Sequence, residues 1–167
     1  MNHASISTRI STTDLCDEFS DSISIAEPIG FKDLGGRKSF YGKIQTVKVF
    51  ENNPLVRKAL AGDGTGKVLV VDGGGSMRCA LLGDMMGELA MKNNWNGIII
   101  YGCIRDSVAL GKLDIGIKAL NIHPLKSNKN VQGEENIPVH FAGINFSPDD
   151  YVYCDEDGII VSKKPLV

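Results

Sequence analysis

Two short runs, residues 67–71 (KVLVV, apolar after Lys67) and 97–101 (GIIIY), are rich in Val and Ile and bounded by turn residues. That is the pattern of strands buried on both faces. Between them Met86, Leu89 and Ala90 recur at helical spacing, so the stretch reads as one β-α-β unit. Other segments alternate instead. In residues 40–50, Val47 and Val49 flank Lys48, which predicts a strand with one solvated face, antiparallel or at a sheet edge. In residues 114–121, Ile115, Ile117 and Ala119 alternate with small or charged residues, the signature of a half-buried strand.

The remaining segments follow from caps and turns. Residues 1–10 are polar and read as a mobile tail. Ser11-Thr12-Thr13-Asp14 is a helix start, and Leu15, Cys16 and Phe19 give a short helix ending near Ser20 one apolar face. Residues 23–29 look extended, and Asp33-Leu34-Gly35-Gly36-Arg37 reads as a loop. Asn52-Asn53-Pro54 opens a helix of two turns through Leu60, closed by Asp63-Gly64-Thr65-Gly66. After His123-Pro124, residues 125–136 form a polar loop and residues 137–142 a strand. Residues 151–154 and 159–162 flank Asp155-Glu156-Asp157-Gly158, a hairpin signal. A parallel unit in the middle followed by antiparallel hairpins predicts an α/β chain, a mixed layered fold in a single domain spanning residues 1–167.

At 167 residues and 43% hydrophobic content, the chain can bury roughly two-thirds of its unfolded surface in one core. A net charge of −2 supplies no broad basic field for nucleic acid, which favours a small-molecule or protein partner. Cys16, Cys79, Cys103 and Cys154 are far apart and form no C-x-x-C pair, so they read as reduced thiols rather than as a zinc site or a disulfide framework. There is no signal-peptide core and no run of 18 apolar residues, so no membrane association is expected and the cytoplasm is the expected location.

The candidate chemistry lies beyond the carboxyl ends of the two apolar strands, where ligands sit in open α/β sheets. Asp72, Gly73-Gly74-Gly75, Arg105 and Asp106 fall there. The glycine run lacks the Gly-Lys-Ser/Thr of a phosphate loop and the spacing of a dinucleotide fingerprint. Gly83-Asp84-Met85-Met86 stands at the start of the helical pattern, where free backbone N–H groups attract a carboxylate or phosphate; Asp84 also reads as a simple N-cap. Arg105 offers a planar fork for a carboxylate, and Asp106 a hard oxygen for a divalent ion. His3, His123 and His140 have no ligand spacing, so a bound metal would be held mainly by oxygen, in the manner of Mg²⁺.

Asp84, then twenty residues, then Arg105-Asp106 resembles the D-x20-R-D motif of the class II 4-hydroxy-4-methyl-2-oxoglutarate/4-carboxy-4-hydroxy-2-oxoadipate aldolases. VLVVDGGGSMRCALLGD, NNWNGIIIYGCIRD, LDIGIKALNIHP and YVYCDEDGIIVS are also similar to the related regulators of ribonuclease activity A, from Thr13 onward. The resemblance implies a swivelling β/β/α fold assembled as a homotrimer with sites between subunits. It implies retro-aldol cleavage of a 2-keto acid to pyruvate and decarboxylation of oxaloacetate. Asp106 would hold a divalent cation, Mg²⁺ or Mn²⁺, partly through water. Arg105 would contact the keto-acid end, the backbone of Gly83, Asp84, Met85 and Met86 would receive the carboxylate, and Asp84 would position a water for proton transfer. A second reading is a protein that binds and inhibits an endoribonuclease of the ribonuclease E type, with no direct contact to nucleic acid.

Overall fold

The computed structural model describes residues 9–167. Most of the expected tail lies outside the described residues, and Ile10, expected to be loose, is buried against Leu15, Tyr153 and Ile160. Helix α1 (Thr12–Phe19) starts as predicted, with Ser11 Oγ accepting from the Asp14 N–H at 3.3 Å. A 3-10 turn (Ser20–Ser22) leads into β1 (Ile23–Ile25), shorter than the extended run expected there, and then β2 (Lys32–Asp33). Next come β3 (Phe40–Lys48) and α2 (Pro54–Leu60), with Pro54 in the first turn. The β-α-β unit follows as β4 (Lys67–Asp72), β5 (Ala80–Leu82), α3 (Asp84–Lys92) and β6 (Gly97–Ile104). It contains one strand, β5, that the apolar pattern did not predict. The short α4 (Ser107–Leu110) connects to β7 (Gly116–Ile122). The chain finishes with β8 (Glu134–Glu135), β9 (Val139–Phe141), β10 (Ile144–Phe146), β11 (Tyr151–Asp155) and β12 (Gly158–Ser162).

The main sheet runs β1-β12-β11-β3-β4-β6-β7-β2, with β5 added on the end of β6 and β8 on the end of β3. β3, β4, β6 and β7 are parallel, and β11 and β12 close the other side antiparallel. Side chains alternate through the centre. Leu69, Val71, Ile98 and Ile100 pack under α2 and α3, whereas Val68, Val70 and Ile99 pack under the β9–β10 hairpin. Helices, sheet and hairpin therefore make the β/β/α layering that the resemblance implied. Both faces of β4 and β6 are covered, which is why these strands read as unbroken apolar runs.

Two strand expectations are corrected. β3 is neither at an edge nor purely antiparallel: it pairs antiparallel with β11 and parallel with β4, and joins the two halves of the sheet. Lys48 is exposed because it ends the strand, not because a whole face is wet. β7 is buried from Gly116 to Leu120 rather than half-buried. Its charged Lys118 is only 3% exposed, and its Nζ lies 2.9 Å from Asp33 Oδ1 on β2, a contact made by distance without hydrogen-bond geometry. A paired charge can occupy a buried slot that sequence alternation assigns to solvent.

The terminal hairpin forms with Glu156-Asp157 as its turn and Asp155 opposite Gly158. Asp155 also ties down α1, its two oxygens accepting from the Thr12 N–H at 2.7 Å and the Thr12 hydroxyl at 2.6 Å. Cys79, Cys103 and Cys154 are buried, and burial pushes their thiols up; Cys16 is half-buried, and all four are free. Among the described residues no helix is long and apolar enough to cross a membrane.

Candidate active site

The predicted site residues converge because β5 runs parallel beside the last turns of β6. Leu82 is in register with Ile104, and the Arg105 N–H donates to the Leu82 carbonyl at 2.8 Å. The residues that follow each strand, Gly83-Asp84 and Arg105-Asp106, therefore emerge side by side at the carboxyl end of the sheet. They line one pocket of about 180 Å³ together with Met85, Met86, Asn53, Arg57, Lys126, Ser127 and Lys129.

The start of α3 differs from the simple capping pattern. Gly83 holds the N-cap position with extended backbone, and Asp84 is the first helical residue, so Asp84 is not the N-cap. The carboxylate that serves this end of the helix comes from across the pocket: Asp106 Oδ2 accepts from the Asp84 N–H at 3.0 Å. Asp84 Oδ1 accepts from the Met85 N–H at 2.8 Å. Asp106 has φ 57°, a left-handed conformation that Asp and Asn tolerate better than most side chains. From there the chain turns directly into α4.

The donor set suits one kind of metal. Among the described residues no three His, Cys, Asp or Glu side chains are grouped to hold an ion. Of the two Asp106 oxygens, only Oδ2 has a hydrogen-bond partner among the described residues, which leaves a carboxylate oxygen exposed in the pocket with Asp84 nearby. One or two carboxylates with water completing the shell is the environment of Mg²⁺ or Mn²⁺, not of a thiolate- or imidazole-seeking ion.

Sequence reasoning missed three of the pocket's four cations. Arg57 on α2 and Lys126 and Lys129 beyond β7 have no ion-pair partner among the described residues, and with Arg105 they make four cations facing two carboxylates. The three lie far from the motif in sequence and carry no spacing signal. Asn53 also departs from its expected role, because its amide donates to the Leu81 carbonyl at 3.1 Å and makes no cap on α2. Conversely, the Gly73-Gly74-Gly75 loop stays out of the pocket. Asp72 Oδ1 accepts from the Gly74 N–H at 2.9 Å, and the N–H groups of Gly73 and Gly75 donate to the Tyr101 carbonyl at 3.1 Å, so this loop is a structural turn. A larger cleft of about 1250 Å³ opens at the amino ends of the parallel strands. Its Arg37 is already paired with Asp114 at 3.1 Å and its Lys38 with the Gly35 carbonyl at 2.8 Å.

Comparison with known proteins shows the family. The model of the RraA-like family, described as Aldolase/RraA, matches residues 12–161. A protein of Alkalilimnicola ehrlichii provisionally named 4-hydroxy-4-methyl-2-oxoglutarate aldolase is 54% identical over 158 residues, covering 95% of this chain and 98% of its own. The solved RNA-processing inhibitor RraA from Thermus thermophilis superposes with a TM-score of 0.90 at 39% identity, covering 95% of each chain. A Geobacillus kaustophilus structure named as an S-adenosylmethionine:2-dimethylmenaquinone methyltransferase superposes with a TM-score of 0.92 at 45% identity, covering 94% of this chain and 97% of its own. Matched along nearly its whole described length, the chain belongs to the RraA-like, Aldolase/RraA family.

Proposed function

We propose that the protein is a divalent-metal-dependent lyase that cleaves 4-hydroxy-4-methyl-2-oxoglutarate-type keto acids to pyruvate and decarboxylates oxaloacetate. The observation that carries this reading is the meeting of Asp84, Arg105 and Asp106 in one small, cation-rich pocket.

Both reactions break a C–C bond next to a 2-keto group and leave its electron pair as a pyruvate enolate. Mg²⁺ or Mn²⁺ held by Asp106, partly through water, would supply Lewis acidity toward the developing oxyanion. Arg105 sets a fixed positive charge and paired N–H donors against the keto-acid end as negative charge builds there. The backbone at Gly83, Asp84, Met85 and Met86 seats the carboxylate. In the retro-aldol direction the C4 hydroxyl loses its proton as the C3–C4 bond breaks, and the C3 carbon then takes a proton to become the pyruvate methyl. Asp84, holding a water, serves this proton traffic.

The test is oxaloacetate decarboxylation with and without chelator, corrected for free metal, in wild type and Asp106→Asn. Metal-dependent turnover that the variant largely loses is the expected result. Full activity in excess chelator overturns the reading.

Met85 at 70% exposure and Val108 at 74%, with Ile122, leave apolar side chains bare around the pocket. This supports the homotrimer with sites between subunits, since such surface is normally covered. Light scattering should give three times the 18.0 kDa chain mass. The likeness to the Thermus RNA-processing inhibitor favours a second reading, inhibition of an endoribonuclease through the outer surface without metal. In that case Asp106→Asn should slow RNA cleavage as wild type does, and no inhibition by either removes this reading for the ribonuclease tested.

A further inference from the structure

The first intrahelical bond of α3 runs from the Gly87 N–H to the Gly83 carbonyl at 3.0 Å, so the N–H groups of Asp84, Met85 and Met86 lie ahead of the helical ladder. Two of these three donors are already taken by the site's own carboxylates, Asp84 N–H by Asp106 and Met85 N–H by Asp84. Gly83 makes the first contact possible. A Cβ at that position would stand 2.7 Å from Asp106 Oδ2, closer than real carbon–oxygen contacts come.

We propose that Asp106 is an internal competitor for the seat that a substrate carboxylate takes on α3, and that a divalent cation frees the seat by drawing Asp106 off the Asp84 N–H. The inference rests on the keto-acid reading of the pocket. An N–H that donates to Asp106 cannot donate equally well to a second oxygen, and a third carboxylate entering beside Asp84 and Asp106 meets like charge. A cation on Asp106 removes both obstacles. Because coupling between two ligands is reciprocal, the cation tightens the keto acid and the keto acid tightens the cation, beyond any direct contact between them.

Pyruvate binding to the chelator-treated full chain separates this competition from a simple charge effect, using wild type, Asp106→Gly and Asp106→Asn. Both substitutions tolerate the left-handed backbone of this position. Asn loses the charge but keeps an acceptor oxygen for the Asp84 N–H, whereas Gly loses both. Without metal, the Asn variant is expected to gain over wild type only what loss of the Asp106 charge gives. The Gly variant is expected to bind pyruvate about tenfold more tightly again than the Asn variant, the worth of one hydrogen bond. Equal gains in both variants, or a gain in neither, overturn the proposal. A second measurement needs no variant: Mg²⁺ alone should move the wild-type Asp84 amide proton upfield as its hydrogen bond is lost, and an amide unmoved at saturation also overturns it. Oxaloacetate turnover keeps the two failures apart. Turnover together with equal gains leaves the lyase standing without the competition, whereas no turnover and no pyruvate binding by any form removes both.

Discussion

The Arg105 N–H donates to the Leu82 carbonyl at 2.8 Å, and this contact brings the two halves of a motif separated by twenty residues into one pocket. Arg105 is held by its backbone at the end of β6, so its side chain can be changed without loosening the strand. Arg105→Lys keeps the charge but loses the planar fork. The expected result is a fall in kcat/KM for oxaloacetate of about 10²-fold, as for removal of a donor to a developing oxyanion. Wild-type steady-state kinetics in the Lys variant would count against the role assigned to this residue.

Asp84 is the first residue of α3, and its own carboxylate serves only the next N–H. An asparagine oxygen can keep that contact, so Asp84→Asn should leave the melting temperature and metal affinity nearly unchanged. The exchange of pyruvate methyl protons with solvent deuterium should slow by about 10²–10⁴-fold, the range of general acid–base assistance. Proton NMR of pyruvate in D₂O at equal metal saturation reads this directly. Exchange at the wild-type rate would reduce Asp84 to a helix-end residue.

Asp155 links acid stability to the docking of α1. Burial pushes its carboxyl up, but hydrogen bonds from Thr12 and from the backbone N–H groups of Asp157 and Gly158 outweigh burial and hold it below the ordinary aspartate value. With the folded value below the unfolded value of about 3.9, the stabilisation is fully present above pH ~4 and is lost as pH falls through the folded value. Asp155→Asn should cost about 1–3 kcal/mol at neutral pH, because an amide cannot accept from both Thr12 donors. Its stability should also fall less steeply than that of wild type below pH ~4. Urea unfolding at a series of pH values checks both, and parallel pH curves would show that Asp155 is not the linked group.

Ile99 is fully buried under the β9–β10 hairpin, in the strand that carries Arg105 and Asp106 at its end. Ile99→Ala should cost about 2–5 kcal/mol by cavity formation. The residual activity per folded molecule should stay near wild type, because the change lies on the opposite face of the sheet from α3. Equilibrium unfolding with activity normalised to folded fraction tests this, and a large loss of specific activity at full folding would mean that the core sets the site's geometry.

The sequence by itself determined the parallel centre of the fold, because strands covered on both faces must be apolar along their buried length, and residues 68–71 and 97–101 are. It also determined the start of α1, the proline-led start of α2 and the terminal hairpin, each decided by contacts within a few residues. Their places at a helix start and a strand end, and the resemblance to the D-x20-R-D motif, marked Asp84, Arg105 and Asp106 as candidates. Only the tertiary structure decided what their positions mean. β5, three residues long, is too short to leave a periodic signal, yet its pairing with β6 creates the pocket. The burial of Lys118 depends on Asp33, eighty-five residues away in the chain, and so could not be read from the alternation in β7. Arg57, Lys126 and Lys129 face Asp106 only because α2 and the segment after β7 meet at the same end of the sheet. The capping of α3 by Asp106 is of the same kind: the sequence places two carboxylates near two turns, and the fold turns one of them onto the other's backbone. Local patterning writes short-range choices into neighbouring residues, whereas a site assembled from four separate segments exists only once the sheet has set their register.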